Sequence, residues 1–196
     1  MSLEVVSTAA AIATVVVIAA TAIAAIVQLR HLRAQNQLTG LLTVLARVEA
    51  PQFNEWADQA REIVKSQLPD PSYRRSIMDA TFERKNNPWL NLANSYDWVG
   101  SLVKHNLIPA DSVLDIYSGR VIQAWSIIEP IVPLVRSRAG PGVWENFEFL
   151  VVRAHEWSAR HAGGAYPKGV PRLKIDVTWP ELAEGAVGAG ARNASG

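Results

Sequence analysis

The segment His155-Glu156-Trp157-Ser158-Ala159-Arg160-His161 places two imidazoles and a carboxylate close together, the ingredients of a hydrolytic zinc site. A zinc-binding helix of that kind needs its histidines four apart, so that both rings face one way. Here they are six apart, about 600° of helical rotation, which sends the rings to well-separated faces. Glu145 and Glu148 do share a face, but no Glu-x-x-His follows to complete a di-metal bundle site. Nucleophilic chemistry fares no better. The chain has no Gly-x-Ser-x-Gly elbow and no cysteine, and His31, His105, His155 and His161 are too scattered to define a base. Gly140-Pro141-Gly142 and the glycines from Gly185 to Gly190 lack the strand, helix and lysine of a phosphate-binding loop. The sequence therefore assigns no catalytic residue, no cofactor and no metal ligand, and the expectation is a protein that is not an enzyme.

One polar set stands out. Asp97, Arg136 and Glu148 each adjoin an apolar stripe of a strong helical segment. They read as an ion-pair network tying helices together, where leaving one member unpaired is costly. The alternative is a polar pocket for a ligand. The basic pairs Arg74-Arg75 and Arg84-Lys85 neighbour Asp79 and Glu83, and read as solvated helix faces. Nineteen Lys and Arg against eighteen Asp and Glu leave a net charge of +1, which removes any bulk electrostatic case for nucleic acid. Zero cysteines exclude a disulfide scaffold.

The elements that would position these residues begin with a membrane segment. No residue from Val5 to Leu29 is charged, and only Ser7, Thr8, Thr14, Thr21 and Gln28 are polar. A bilayer core needs about 20 helical residues, so residues 5–29 are long enough to span it. A signal peptide would have a basic start and a shorter apolar core. Here the only charge ahead of the run is Glu4. Arg30 and Arg33 flank the far end and, by the positive-inside rule, leave a stub of residues 1–4 outside and the body in the cytoplasm. The expected location is the inner (plasma) membrane, crossed once. Small residues recur four apart (Ala9 with Ala13, Ala20 with Ala24, Thr21 with Ala25), which permits a homo-oligomer through the span. A plain alanine-rich anchor gives the same pattern.

Residues 30–162 read as a small helical bundle, because apolar residues recur at helical spacing and no useful strand alternation appears. One stripe runs Leu38, Leu41, Leu42, Leu45 and Val48, and a second runs Phe53, Trp56, Ala60, Ile63 and Val64. Asp70-Pro71 suits the start of a helix over 71–85, and Asn86-Asn87-Pro88 is the next break. Trp89, Leu92, Ala93, Tyr96, Val99 and Val103 mark the central core helix. Asp111 is expected to cap a short helix stopped by Gly119. A stripe from Val121 to Val135 follows, kinked by Pro130 and Pro133. The last helix covers 143–161. Residues 163–196 are rich in Gly, Ala, Pro and Ser and read as a disordered, flexible tail. Leu173–Trp179 alternates like a strand without a partner, and would dock on the body or on another protein's sheet edge if it is more than part of that tail.

Leu90–Glu148 carries an ordered set of features. Asn94 and Asp97 stand on an aromatic-rich helix, and the turn His105-Asn106-Leu107-Ile108 follows. Then come Trp125, Pro130, a basic end at Arg136 and Arg138, and the pair Phe147-Glu148. In this the chain resembles the bacterial membrane family known as domain of unknown function 4760. It departs from the family pattern at Tyr96-Asp97, where Phe-Glu is expected, and at Lys104-His105-Asn106, where Arg or Gly is commoner. The resemblance covers about a third of the chain well and rests on packing residues. It implies an N-terminal membrane helix with a helical body, and no activity.

The sequence thus describes an all-α chain: a transmembrane helix, a cytoplasmic bundle and a tail. The expected function is a membrane-anchored interaction or scaffold protein whose partners are the lipid bilayer and another protein. The alternative is an oligomerising effector that perturbs the bilayer when its bundle receives a signal.

Overall fold

The computed structural model describes residues 3–79, 82 and 87–174. It is all-α among those residues. Helix α1 (Leu3–Val48) is followed by α2 (Pro51–Ser66), α3 (Pro71–Met78), α4 (Pro88–Lys104) and α5 (Ala110–Ile128). A 3-10 turn (Glu129–Ile131) leads into α6 (Val132–Ala139), and α7 (Glu145–Arg160) ends the bundle.

At 46 residues, α1 is about 69 Å long, more than twice the thickness of a bilayer's hydrocarbon core. It is long and apolar enough to cross a membrane, and its apolar stretch is exposed among the described residues: Val15 is 66% exposed and Ile23 63%. The last turns join the body core. Val44 and Val48 are buried there, and the Arg47 guanidinium donates to Ser95 Oγ at 3.2 Å while lying over the Trp98 ring. The expected stripe at Leu38–Val48 is therefore continuous with the apolar helix.

Prolines and caps divide the body as the sequence indicates. Asp70 accepts from the Ser72 amide at 2.8 Å and from its hydroxyl at 2.6 Å, capping α3. Those hydrogen bonds hold the Asp70 carboxyl below the usual carboxylate range. Asn87 caps α4 in the same way, with Pro88 in its first turn. Pro130 and Pro133 interrupt the helix expected through Val135, replacing it with the 3-10 turn and α6.

Two boundaries differ from expectation. The helix expected over 71–85 ends at Met78, because Asp79 turns to extended backbone (ψ 142°) and Arg138 of α6 collects the carbonyls of Ile77 and Asp79. Arg84, Lys85 and Asn86 lie outside the described residues. Gly119 does not stop a helix: α5 runs through it, and its cap is Pro109 rather than Asp111. A mid-helix glycine costs only about 1 kcal/mol, and the burial of Val113, Leu114, Tyr117, Val121 and Ala124 along one helix outweighs that.

The core lies where α4 packs against α7, with α5 and α2 closing its sides. Tyr96 stacks on Phe147 with ring centroids 5.0 Å apart, and Phe53 and Trp125 meet that pair edge-on. Residues from Ala165 form a separate unit. Within it Tyr166 donates to the Pro171 carbonyl, and the Arg172 guanidinium lies over its ring. Most of the alternating segment Leu173–Trp179, and the tail beyond it, lie outside the described residues, as do residues 1 and 2 of the N-terminal stub.

Candidate functional site

Three polar arrangements have enough geometry to be weighed. The first contains Asp97, Arg136 and Glu148. Arg136 donates to Glu148 Oε2 at 2.6 Å and to the Val143 carbonyl at 3.0 Å. Asp97 does not join that pair. Its Oδ1 accepts from the backbone amides of Asn146 and Phe147, both at 3.1 Å, and its Oδ2 from the Asn146 side chain. Those amides are orphan donors at the start of α7, whose own cap position, Trp144, offers no side-chain oxygen and sits at φ 57°. Asp97 thus does from α4 what an N-cap residue does locally, and its charge suits the positive end of the α7 dipole.

The rest of α4 completes this cradle. Asn94 accepts from Trp144 Nε1 at 2.9 Å, and Lys104 reaches Glu145 and Asn146. Gly100 lets the backbones meet: a Cβ there would stand 2.0 Å from the Asn146 carbonyl oxygen. The cradle holds two helices together. A sequence signal for it lies in the spacing of Asn94, Asp97 and Lys104 along one face of α4.

The second arrangement is a half-open cleft of about 310 Å³ between α2, α4 and α5. That volume is at the small end of ligand pockets. Phe53, Leu92, Tyr96 and Ile127 supply its ring and aliphatic lining, with Asp58, Arg61 and Arg120 as its charges. Arg61 is paired with Asp58 at 2.8 Å. Arg120 is paired at 3.0 Å with Glu49, one residue past the end of α1, and Tyr117 donates to the same carboxylate oxygen at 2.9 Å. Arg120 therefore links the cleft to the end of α1. No sequence pattern pointed to it, because its residues come from three helices far apart in the chain.

Burial pushes the Tyr117 hydroxyl up to about 12, helped by its hydrogen bond to Glu49 and that group's charge, and opposed by Arg120. Burial also pushes Tyr96 well above the ordinary tyrosine range. In the unfolded chain both phenols ionise near pH 10, so above that the unfolded state binds fewer protons and stability falls. Their contribution is fully present below about pH 10 and is lost as pH rises through the folded-state values. Melting temperature should accordingly fall steeply above pH 10, and Tyr117→Phe should remove part of that slope. An unchanged slope in the variant counts against Tyr117 as a source.

The third arrangement is an open groove of about 640 Å³ where α1 passes the α4–α5 loop, lined by Leu29, Leu32, Arg33, Asn36 and Gln37 of α1 and His105–Leu107 of the loop. Of the two basic residues flanking the apolar run, Arg33 lines it and Arg30 is exposed on the same helix. His155 is exposed, while the His161 ring stacks on Trp157, so the histidines of the zinc-like segment do not converge. Among the described residues no three His, Cys, Asp or Glu side chains come together in a way that would hold a metal ion.

No curated protein and no solved structure matches the chain. One family does. Its match begins inside the apolar part of α1 and runs to the last turns of α7, far beyond the third of the chain that carried the resemblance. Over residues 15–154 the chain belongs to the family described as Domain of unknown function (DUF4760).

Proposed function

We propose that the chain is an interaction or scaffold protein held to the inner membrane by α1, crossing once, with its amino terminus outside and its bundle in the cytoplasm. The observation that carries this reading is the two-part character of one uninterrupted helix. Along its apolar stretch α1 is exposed, and at Val44 and Val48 it is buried in the body. In water so much bare apolar surface is costly; in hydrocarbon it needs no partner. The few hydroxyls within the stretch suit hydrocarbon as well. Thr8, Thr14 and Thr21 each donate to the carbonyl four residues back, so these three hydroxyls need no water. The reading assigns no catalytic role and no cofactor to the body. It offers the cleft between α2, α4 and α5 as a binding face for a partner.

Thiol mapping tests it directly, since the chain has no cysteine of its own. In spheroplasts a membrane-impermeant maleimide should label Glu4→Cys at once, and Glu156→Cys only after permeabilisation. The reverse pattern overturns the orientation. Free labelling of both in a soluble fraction overturns the anchor.

A second reading, the oligomerising effector, is favoured by one observation: Arg120 belongs to the cleft and also holds Glu49 at the foot of α1. A partner that draws Arg120 away would remove one of the ties at that end of the membrane helix, leaving Tyr117 on Glu49 and the buried Val44 and Val48. Native mass spectrometry of the full-length protein separates the two readings. A homo-oligomer with no other subunit favours the effector, and a stoichiometric second protein favours the scaffold.

A further inference from the structure

We infer that the groove between α1 and the α4–α5 loop seats the headgroup of an anionic phospholipid from the leaflet where α1 leaves the bilayer. The inference rests on the reading of α1 as a membrane span. Its first support is depth. The uncharged run ends at Leu29, and with a rise of 1.5 Å per residue Leu32 to Gln37 stand about 5–12 Å beyond it. The headgroup layer begins at the edge of the hydrocarbon and extends about 5–8 Å, so Leu32 and Arg33 stand within it and Asn36 and Gln37 on its aqueous side.

The second support is how the loop is held there. Gly40 lets α1 approach so closely that a Cβ at that position would stand 2.8 Å from Ile108 Cγ2, and Ile108 is buried. Asn106, at φ 54°, turns the chain just before that anchor. Leu107 between them is left 56% exposed, an aliphatic side chain presented beside Leu29 and Leu32.

The third support is the order of the lining. Along α1 it runs Leu29, Leu32, then Arg33, Asn36 and Gln37: apolar toward the span, cationic and amide-bearing away from it. A phospholipid in the bilayer is sorted the same way along the same axis. The guanidinium of Arg33 and an N–H of His105 suit a phosphate. The carboxamides of Asn36, Gln37 and Asn106 suit the hydroxyls of a glycerol headgroup. The two flanking arginines, Arg30 and Arg33, are fewer than the roughly 4–8 cations of a polybasic lipid site. The fold adds a shaped groove with donors from a second element.

The test uses full-length protein in nanodiscs of equal parts phosphatidylglycerol and phosphatidylcholine, with native mass spectrometry reading the lipids retained on the released protein. The expected result is preferential retention of phosphatidylglycerol. Arg33→Gln and His105→Gln should each reduce the preference, by about fivefold for the arginine, while Arg30→Gln, on the same helix but outside the groove, leaves it intact. Equal retention of the two lipids by the native chain overturns the inference. So does an equal loss in Arg30→Gln and Arg33→Gln, which is what a diffuse positive surface gives. A chain that never enters the discs overturns the membrane reading and this inference with it, and that outcome is distinct from insertion without lipid preference.

Discussion

Gly100→Ala should lower the melting temperature by about 10 °C, through a loss of about 3 kcal/mol. Alanine is the better helix former, so propensity alone gives the opposite sign. What decides the outcome is space. The added methyl would meet the Asn146 carbonyl oxygen at 2.0 Å and the carbonyl carbon at 2.5 Å, and both are backbone atoms of α7. A flexible side chain could rotate away; a helix backbone must move as a unit. That movement would pull Asn146 and Phe147 from Asp97 and loosen Phe147 from the Tyr96 ring. Gly119→Ala is the matched control, because a Cβ in that helix meets nothing within 4 Å. It should be neutral or stabilising by about 0.5–1 kcal/mol. Thermal denaturation of the two variants side by side checks the argument. Equal melting points would mean that α4 and α7 are not packed this closely.

The contrast between these glycines shows what a sequence makes legible. Local chemistry was readable: Asp70-Pro71 and Asn87-Pro88 start helices, Pro130 and Pro133 interrupt one, and the stripes of α2 and α4 face the core. Gly119 misled because a glycine's cost is local and small, while the burial along α5 is collective. Gly100 gave no warning, because its role depends on another helix some 46 residues away in the chain. The candidate sites follow the same division. Periodicity says which face of a helix is buried but not which helix lies opposite. The union of Phe53, Tyr96 and Arg120 in one cleft, and of Glu49 with Tyr117 and Arg120, therefore had no local signature. The groove was half legible. Arg33 is read from the flank of the apolar run, whereas His105 and Leu107 come to it only through the close approach of Gly40 to Ile108.

Asp97→Ala should cost about 3 kcal/mol, because it strands two amides at the start of α7 and withdraws a charge from the positive end of that helix. Glu148→Ala should cost less than about 1 kcal/mol, since the carboxylate is half exposed and Arg136 keeps the Val143 carbonyl. Size alone does not separate this geometry from a three-member ion network, but coupling does. In a network Asp97 and Arg136 share a bond, and removing both costs clearly less than the sum of the single losses. In the structure their partners differ. Asp97 holds amides of residues 146 and 147, and Arg136 holds the Val143 carbonyl and Glu148. The double-mutant cycle for Asp97 and Arg136 should close to within about 0.5 kcal/mol. The Arg136 and Glu148 cycle should leave a residual of about 0.5–1 kcal/mol. Denaturant unfolding of the three single and two double variants with the native chain measures both. A large Asp97–Arg136 coupling would restore the network read from sequence. Near-additivity would assign Asp97 the narrower task of a cap supplied from a neighbouring helix.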